Sequence, residues 1–463
     1  MRRWLFLVVL LYPNMGWAAP GLDTVSFSPY WGIPFIGVLL SLALFPILLE
    51  GFWHKHYGKV AAFWAMCFLM PYFLQFGGSQ TLTMVSHTLL LEYFPFITLL
   101  FALFTITGGI RITGRWEGSP GSNTVILGIG TVLASIIGTT GASMLLIHPL
   151  IRAIRWRKQR KHIIIFFIFL VSNIGGALTP LGDPPLFLGF LQGVPFFWPA
   201  VHLFIPFVLV SVPLLLIFYF VDRWLYPKEN PEKHPKTAGK FQIKGKLNIV
   251  WLMGVMGFVL LSGAWHSEGG IEIFSTQITY PSLVREIGLI TLAILSLIFS
   301  KSEDRQANEF HWEPIVEILK IFLAIFITVV PVITMLNAGI NGPFADLIAQ
   351  TTSGGVPHNP TYFWSTGLLS SFLDNAPTYL VFYFMAGGNA LVLSTTLSDT
   401  LMSISMGAVF MGALTYIGNA PNFMVRSIAA HKGIKMPSFF GYMVWSCGIL
   451  LPLFILLTLV YIR

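Results

Sequence analysis

Long apolar runs follow one another along most of this chain. Residues 201–221 and 440–461 are two examples. A transmembrane helix needs about 20 mostly apolar residues, whereas the strands of an outer-membrane barrel are short and alternate apolar with polar residues. Only 10% of the residues are charged, against roughly 25% in soluble domains. The sequence therefore predicts an all-α polytopic membrane protein and excludes a soluble enzyme, a nucleic-acid-binding domain and a disordered chain.

Most basic residues lie in alternate connections between these runs, with Arg285 and Arg463 as exceptions and Lys320 at a helix start. This one-sided distribution follows the positive-inside rule, so the basic connections are predicted to be cytoplasmic loops. The net charge of +8 therefore reflects orientation in a lipid bilayer, and no nucleic-acid partner is expected. Lys and Arg cluster at residues 55–59, 111–115, 152–161, 223–246, 301–305 and 426–435, and the connections at 77–80, 192–200, 337–360 and 388–400 contain none.

The first 19 residues are typical of a bacterial secretory signal. Arg2 and Arg3 precede a short apolar stretch, and the small residues Ala18 and Ala19 follow it. This order of basic, apolar and small residues predicts a signal peptide at 1–19; an uncleaved, short first span is the alternative. Together with the basic loops, it predicts a multi-pass protein of the bacterial inner membrane whose mature N-terminus and C-terminus are both periplasmic.

Two interrupted apolar runs divide the chain into halves with the same order of elements. Residues 123–152 are flanked by basic residues on both sides, and residues 362–386 have none at either end. Each is predicted to be a re-entrant hairpin, the first entering from the cytoplasm and the second from the periplasm. The predicted domains are a first repeat at 30–222, a cytoplasmic linker at 223–248, and a second repeat at 249–462, each repeat with five transmembrane helices and one hairpin.

The same two halves share a short sequence at a constant spacing. Residues 176–185 and 412–421 are identical at six of ten positions, with an offset of 236. The same offset places the first hairpin tip, residues 138–141, on the second, residues 374–377. Inverted repeats with discontinuous helices in corresponding positions are typical of secondary transporters whose site lies near the bilayer midplane. The sequence thus predicts alternating access around a central site.

Residues 171–185, Val-Ser-Asn-Ile-Gly-Gly-Ala-Leu-Thr-Pro-Leu-Gly-Asp-Pro-Pro, resemble the first-half signature of the ion transporter superfamily. That group includes D-type Na+/H+ antiporters, arsenite exporters, citrate carriers and sodium/dicarboxylate symporters. The resemblance implies a scaffold domain that forms a homodimer and a transport domain that moves as an elevator. Asn173 followed by Asp183 resembles the antiporter branch. The hairpin tips also differ from the Ser-Asn-Thr tips of the dicarboxylate symporters, which disfavours a di- or tricarboxylate substrate.

Two carboxylates fall in the interrupted segments. Asp183 lies between Gly182 and Pro184, and Asp374 lies at the tip of the second hairpin. An intramembrane carboxylate is costly and is a functional-site hypothesis by default. Desolvation disfavours the charged form, so a proton competes with Na+ for the same group. Asp183 and Asp374 are therefore predicted to hold either Na+ or H+, and no cofactor is expected beyond these transported ions.

Oxygen-bearing side chains around the same breaks are predicted to complete the site. They are expected to ligate the ion or solute directly, to support these ligands, or to break the helices. The direct group is Asn173, Asn375, Asn419, Thr139, Thr140, Thr179, Thr378 and Thr415; the supporting group is Ser135, Ser172 and Ser371; the helix-breaking group is Gly175, Gly176, Gly182, Gly412 and Gly418.

Structural roles are the alternative for each of these groups. Asp183 and Asp374 also fit the N-cap position of the helix that follows, where Asp is favoured and Pro commonly comes next. The threonines also fit a role in satisfying backbone groups freed at the breaks, and the glycines a role in close packing.

Sodium (or lithium)/proton antiport is the leading functional prediction. The alternative is a carrier of citrate or another di- or tricarboxylate, alone or as a metal complex, in which half-helix N-termini hold the carboxylates. A channel is a remote third hypothesis. An enzyme is not predicted, because neither interrupted segment pairs a nucleophile with a base. The expected partners are the bilayer and a small ion or small anionic solute.

Overall fold

The computed structural model describes residues 27–114, 117–229, 242–265, 267, 269–353 and 356–462. Most of these residues are helical, and nine helical segments among them are long and apolar enough to cross a membrane. The predicted all-α polytopic membrane fold is therefore confirmed. The predicted signal peptide at 1–19 lies outside the described residues.

The N-terminal half contains three long helical elements followed by a series of broken ones. A π-helical turn, Thr88–Tyr93, separates the second helix from the third, and a 3-10 turn, Ile174–Leu178, lies in the broken part. The helices are α1 Ile33–Leu48, α2 Glu50–His87, α3 Phe94–Gly108, α4 Pro120–Ile137, α5 Thr139–Ala153, α6 Lys161–Leu170, α7 Pro184–Leu191, α8 Trp198–His202 and α9 Phe204–Leu225.

The C-terminal half follows a similar order. It contains long helices, a second broken pair and a 3-10 turn at Gly412–Leu414. The helices are α10 Lys246–Ala264, α11 Tyr280–Phe299, α12 Ser302–Ala307, α13 Glu313–Asn337, α14 Ala345–Gln350, α15 Asn359–Phe372, α16 Asn375–Met385, α17 Ala390–Ser394, α18 Ser398–Met411, α19 Ala420–His431 and α20 Phe439–Tyr461.

Three short antiparallel strand pairs occur in the connections. In the first pair, Ile112 lies opposite Ile243, so the connection after α3 is tied to the one before α10. The pairs are β1 Arg111–Thr113 with β2 Gln242–Lys244, β3 Gly270–Ile273 with β4 Thr276–Thr279, and β5 Thr352–Ser353 with β6 Val356–Pro357.

Two helices lie at the centre of the packed region. In α6, residues 163–170 are all fully buried, and in α18 residues 400–411 are all buried. A helix that is apolar and buried on every side lies inside a bundle rather than at its surface. By contrast, α9, α10 and α20 expose many apolar side chains, as expected of helices that face lipid. The interrupted segments that follow α6 and α18 are thereby held inside protein.

Both predicted hairpins are pairs of helices separated by a short break. The first break is at Gly138, whose φ of +82° is in the left-handed region that favours glycine. The second break lies between Phe372 and Asn375, with Asp374 in extended conformation. The helices on either side of each break pack against each other. The backbone thus leaves the helix at the positions that the sequence indicates.

Helix bounds in the two halves correspond at an offset of 236. Adding 236 to α4, α5, α7 and α9 gives 356–373, 375–389, 420–427 and 440–461. The structure has α15 at 359–372, α16 at 375–385, α19 at 420–431 and α20 at 439–461. The shared spacing of the short motif therefore extends to most of the broken-helix region.

Two of the basic segments that are predicted to be cytoplasmic loops have a different structure. Lys55 and Lys59 lie within α2, which is helical from Glu50 onward. Arg157 is 2% exposed and donates to Asp222 of α9 at 3.0 Å. The same Asp222 accepts from Asn123 at 2.9 Å and contacts His162 at 2.9 Å. The segment after α5 is thus bound into the protein by a buried ion pair, which charge counting alone does not reveal.

Candidate functional site

Asp183 is the centre of a buried polar cluster. It precedes α7, in which Pro184 takes the first position, and its side chain makes no capping bond to that helix. The residue is 1% exposed. Its carboxylate instead accepts hydrogen bonds from Thr139 at 3.0 Å, from Asn375 at 2.9 Å and from Asn419 at 3.1 Å. Capping therefore does not account for this carboxylate.

Its three donors come from three different breaks in the helices. Thr139 is the first residue of α5, and its backbone N–H donates to Gly182 O at 2.8 Å. Asn375 is the first residue of α16, and its Oδ1 accepts from Ser370 at 2.7 Å. Asn419 immediately precedes α19. Both hairpin tips and both interrupted segments thus meet at one carboxylate.

A second group of amides lies beside the first. Asn173 donates to the side-chain oxygen of Asn422 at 2.7 Å, and Asn422 donates to the backbone oxygens of Gly412 and Thr415 at 2.8 and 3.0 Å. Asn419 also donates to Ser172 O at 3.1 Å. These bonds satisfy the carbonyl groups that the interrupted helix leaves free.

Sequence reasoning missed Asn422 and Ser370. Both are fully buried. Asn422 lies three residues beyond Asn419, one helical turn away, and this spacing is the signal that could have identified it. Ser370 donates to the Asn375 side chain as well as to a backbone oxygen, Ala408 O, at 2.7 Å. Ser370 could not have been found from the repeat, because the residue that corresponds to it in the first half is Ala134, which has no polar side chain.

Thr179 and Thr415 make matching bonds in the two halves. The Thr179 hydroxyl donates to Ser135 O at 2.5 Å and accepts from Leu181 N at 3.1 Å. The Thr415 hydroxyl donates to Ser371 O and accepts from Ile417 N. The partners of the two threonines are related by the same offset of 236. Each threonine fixes an interrupted segment to the neighbouring hairpin.

The three predicted serines are also bonded at the breaks. Ser135 donates to Gly175 O at 2.5 Å, and Ser371 donates to Met411 O at 3.0 Å. Ser172 pairs with the hydroxyl of Ser143 at 2.9 Å. These contacts hold the backbone next to Asp183 in place, and none of the three hydroxyls contacts the carboxylate itself.

Three of the five predicted glycines, Gly175, Gly182 and Gly418, lie where backbone segments come very close, and a Cβ on Gly176 or Gly412 would first meet side chains of the site. A Cβ on Gly182 would be 2.1 Å from Gly176 O, and one on Gly418 would be 2.5 Å from Gly412 O. A Cβ on Gly175 would be 2.7 Å from a backbone oxygen of α4, Thr131 O. These distances are too short for any side chain, so glycine is required for the interrupted segments to fold back on themselves.

Asp374 has a different environment from Asp183. It is only partly buried, and its side chain caps α16 by accepting from Ala376 N at 3.2 Å. Thr378 donates to Asp374 O at 3.0 Å. Asp374 directly precedes Asn375, a donor to Asp183, so the two acids belong to the same region.

A narrow cleft of about 30 Å³ reaches Asp183 from one side. One wall is formed by α3 and α13, with Phe96, Leu103 and Ile315 among the residues that line it. The other wall contains Asp183 and residues 138–141, including Thr140. The N-terminus of α5 has no side-chain cap. The N–H of Thr139 is bonded to Gly182 O, so the N–H groups left for the cleft are those of Thr140 and Gly141, the next residues of the first turn.

The site contains acids and neutral donors. Among the described residues, no basic side chain is a hydrogen-bond partner of Asp183, and no group of three or more His, Cys, Asp and Glu could hold a metal ion. The arrangement offers carboxylate, hydroxyl and amide groups, which suit a proton or a hard cation. The open α5 N-terminus offers the opposite polarity, because it favours an anion.

Comparison with known proteins identifies the family. A family model described as "Putative citrate transport" matches residues 24–462. The chain belongs to this citrate transport family. An uncharacterized transporter of Mycobacterium bovis and one of Mycobacterium tuberculosis are each 24% identical over 367 residues, covering 73% of this chain and 78% of the relative. The predicted membership of the ion transporter group is confirmed, and the protein is a membrane transporter.

Proposed function

We propose that this protein is a secondary active transporter of citrate or a similar carboxylate, carried together with a cation bound at Asp183. The family supports citrate as the class of substrate. The observation that carries the coupling is a fully buried carboxylate with neutral partners, placed beside an uncapped helix N-terminus in the same cleft.

The environment of Asp183 supports a coupled cation. A buried charge without an ionic partner is costly, and the three donors to Asp183 are a hydroxyl and two amides. A proton or a sodium ion removes that cost by neutralising the carboxylate. The amides of Asn375 and Asn419 suit both states, because rotation by half a turn presents an oxygen instead of an N–H group.

The N-terminus of α5 supports an anionic substrate. It is uncapped and opens on the cleft, whereas the corresponding N-terminus of α16 is capped by Asp374. Unpaired N–H groups and the helix dipole favour a carboxylate at such a position. The hydroxyl of Thr140 lies beside it and supplies a further donor.

Coupling follows from the proximity of the two positions. Thr139 begins α5 and also bonds to Asp183, so a citrate carboxylate at the helix N-terminus lies near that acid. Like charges at short range repel each other. Neutralisation of Asp183 therefore favours citrate binding, and by linkage citrate favours cation binding. This reciprocity makes the two solutes move together.

We also infer that the halves are inverted repeats and that the protein works by alternating access as an elevator-type homodimer. The helix bounds and the threonine bonds that recur at an offset of 236 support the repeat. The cleft between α3 and α13 on one side and the hairpin on the other supports a moving boundary there. A bacterial inner membrane with periplasmic termini accords with the charge distribution.

Uptake of labelled citrate into proteoliposomes tests the proposal. We expect an imposed gradient of H+ or Na+ to drive citrate above its external concentration, and an ionophore that dissipates this gradient to abolish accumulation. Addition of Mg2+ or Ca2+ distinguishes free citrate from a metal complex. Absence of citrate uptake under every gradient would contradict the assignment.

Sodium (or lithium)/proton antiport is the second candidate. It is favoured by the oxygen-bearing partners of Asp183 and needs no anion. In inverted vesicles with an imposed pH gradient, antiport predicts that added Na+ or Li+ collapses the gradient without citrate. The citrate proposal predicts that the same ions have no effect on the gradient unless citrate is present.

A further inference from the structure

A groove on the outer face of α1 and α2 lies away from the transport site. It has a volume of about 430 Å³, within the range of pockets that take small-molecule ligands. Its walls are formed by Ser41 and Phe45 of α1 and by Phe52, His56, Lys59, Val60, Phe63 and Trp64 of α2.

The lining residues of α2 form one face of that helix. Phe52, His56, Lys59 and Phe63 are spaced by four, three and four residues, which places them on the same side. The neighbouring face is already occupied, because Trp53 donates to Glu317 of α13 at 3.1 Å. The acidic residues of α13 therefore lie behind α2, and none of the described residues that line the groove is acidic.

The polar part of the groove favours an anion. Lys59 is exposed. His56 has a buried Nδ1 with no hydrogen-bond partner among the described residues. Side chains on a helix tilt toward its N-terminus, so both groups lean toward the α1–α2 turn at Leu49, the end predicted to face the cytoplasm.

The remaining walls are apolar. Phe52 and Phe63 are 45% and 59% exposed. The one polar atom of Trp64 is satisfied, since its Nε1 donates to Ser41 at 3.0 Å, and Ser41 donates to Gly37 O at 2.7 Å. The surface below the two basic groups thus offers aromatic and aliphatic contacts without unmet hydrogen bonds, which suits a hydrocarbon chain.

We propose that this groove binds an anionic phospholipid. The phosphate contacts Lys59 and His56, and an acyl chain lies along Phe63 and Trp64. Basic pockets between transmembrane helices on the cytoplasmic side recognise anionic head groups in this way, and long cationic side chains reach the interface while their stems cover apolar surface. The proposal does not depend on the transported substrate.

Native mass spectrometry of the purified full-length protein with added lipid tests the site. We expect phosphatidylglycerol to bind and phosphatidylcholine or inorganic phosphate alone not to bind. Lys59→Ala should lower the amount of bound phosphatidylglycerol about fivefold, the contribution of one cation near an anionic surface. Adding His56→Gln to Lys59→Ala should lower the amount further. Lys55→Ala is the matched control, because Lys55 is exposed on the same helix and does not line the groove.

A second readout separates binding from damage to the fold. Phosphatidylglycerol should raise the Tm of the wild type and of Lys55→Ala equally and that of Lys59→Ala by less, while all three have the same Tm without lipid. Equal loss in both lysine variants would assign the effect to general surface charge and overturn the proposal. Equal binding of phosphatidylcholine, or no retained lipid on the wild type, would also overturn it.

Discussion

Replacement of Asp183 by Asn should uncouple citrate accumulation from the cation gradient. Asn has nearly the same size and retains an oxygen that can accept from Thr139, Asn375 or Asn419, so the buried cluster stays filled. It carries no charge and holds neither a proton nor a sodium ion. The variant therefore resembles a carrier that is permanently in its neutral state.

The size of the loss of citrate accumulation follows from the number of ions that the Asp183 carboxylate can hold. One acid holds one proton or sodium ion, and a tenfold gradient of that ion is equivalent to about 1.36 kcal/mol. This free energy is a factor of about ten in an equilibrium ratio. In a tenfold gradient, the steady-state ratio of internal to external citrate should thus fall about tenfold in Asp183→Asn.

The assay compares accumulation with exchange in the same proteoliposomes. Asp183→Asn should keep citrate counterflow in the absence of any gradient, which shows that the carrier is folded and binds citrate. Asp346→Asn is the control, because it makes the same substitution at an exposed position outside the site. If Asp183→Asn responds to the gradient as fully as the wild type, the role assigned to this carboxylate is refuted.

Three further outcomes follow from packing and charge. Gly412→Ala places a Cβ 2.4 Å from the buried amide oxygen of Asn375, so the Tm should fall by the equivalent of about 1–3 kcal/mol. Gly448→Ala is the control, because a Cβ there has nothing within 4 Å and should leave the Tm unchanged. Asp222→Ala leaves buried Arg157 without its main partner, which should cost about 3–5 kcal/mol; replacing both residues by apolar ones should restore most of the Tm. Lys432 donates a hydrogen bond to the exposed Glu309 and thereby lowers the pKa of that carboxyl. Glu309→Gln should therefore lower the Tm slightly at pH 7, by the equivalent of less than about 1 kcal/mol. This difference should vanish as the pH falls through the Glu309 pKa, since the wild-type carboxyl is then protonated.

The helix breaks were predictable because they depend on local sequence. Gly138 is required by its positive φ, and residues 180–185 contain three prolines and a glycine that cannot continue a helix. The offset of 236 alone places Asp183 opposite Asn419 and Thr139 opposite Asn375, in corresponding breaks. Their meeting at one carboxylate follows from packing the two halves together.

Other features depend on partners distant in the chain. Arg157 and Asp222 are 65 residues apart, and nothing in the basic stretch around Arg157 indicates that it is buried. The different roles of Asp183 and Asp374 were also not predictable, because both precede a helix and only the direction of each side chain separates capping from the central site. The difference between these hairpin tips and those of the dicarboxylate symporters predicts against a carboxylate substrate, and the family does not support that prediction.

Asp183 and Asn419 are 236 residues apart and bond to each other at 3.1 Å. Each is thus the counterpart of the other across the junction of the two halves. Had both been aspartate, two acids at this separation could not have ionised together, and one would have needed a permanently retained proton. The amide replaces one acid with a neutral group of similar shape. The Asp183–Asn419 pair therefore holds one titratable charge, and on the proposed mechanism this pair binds one coupling ion in each transport cycle.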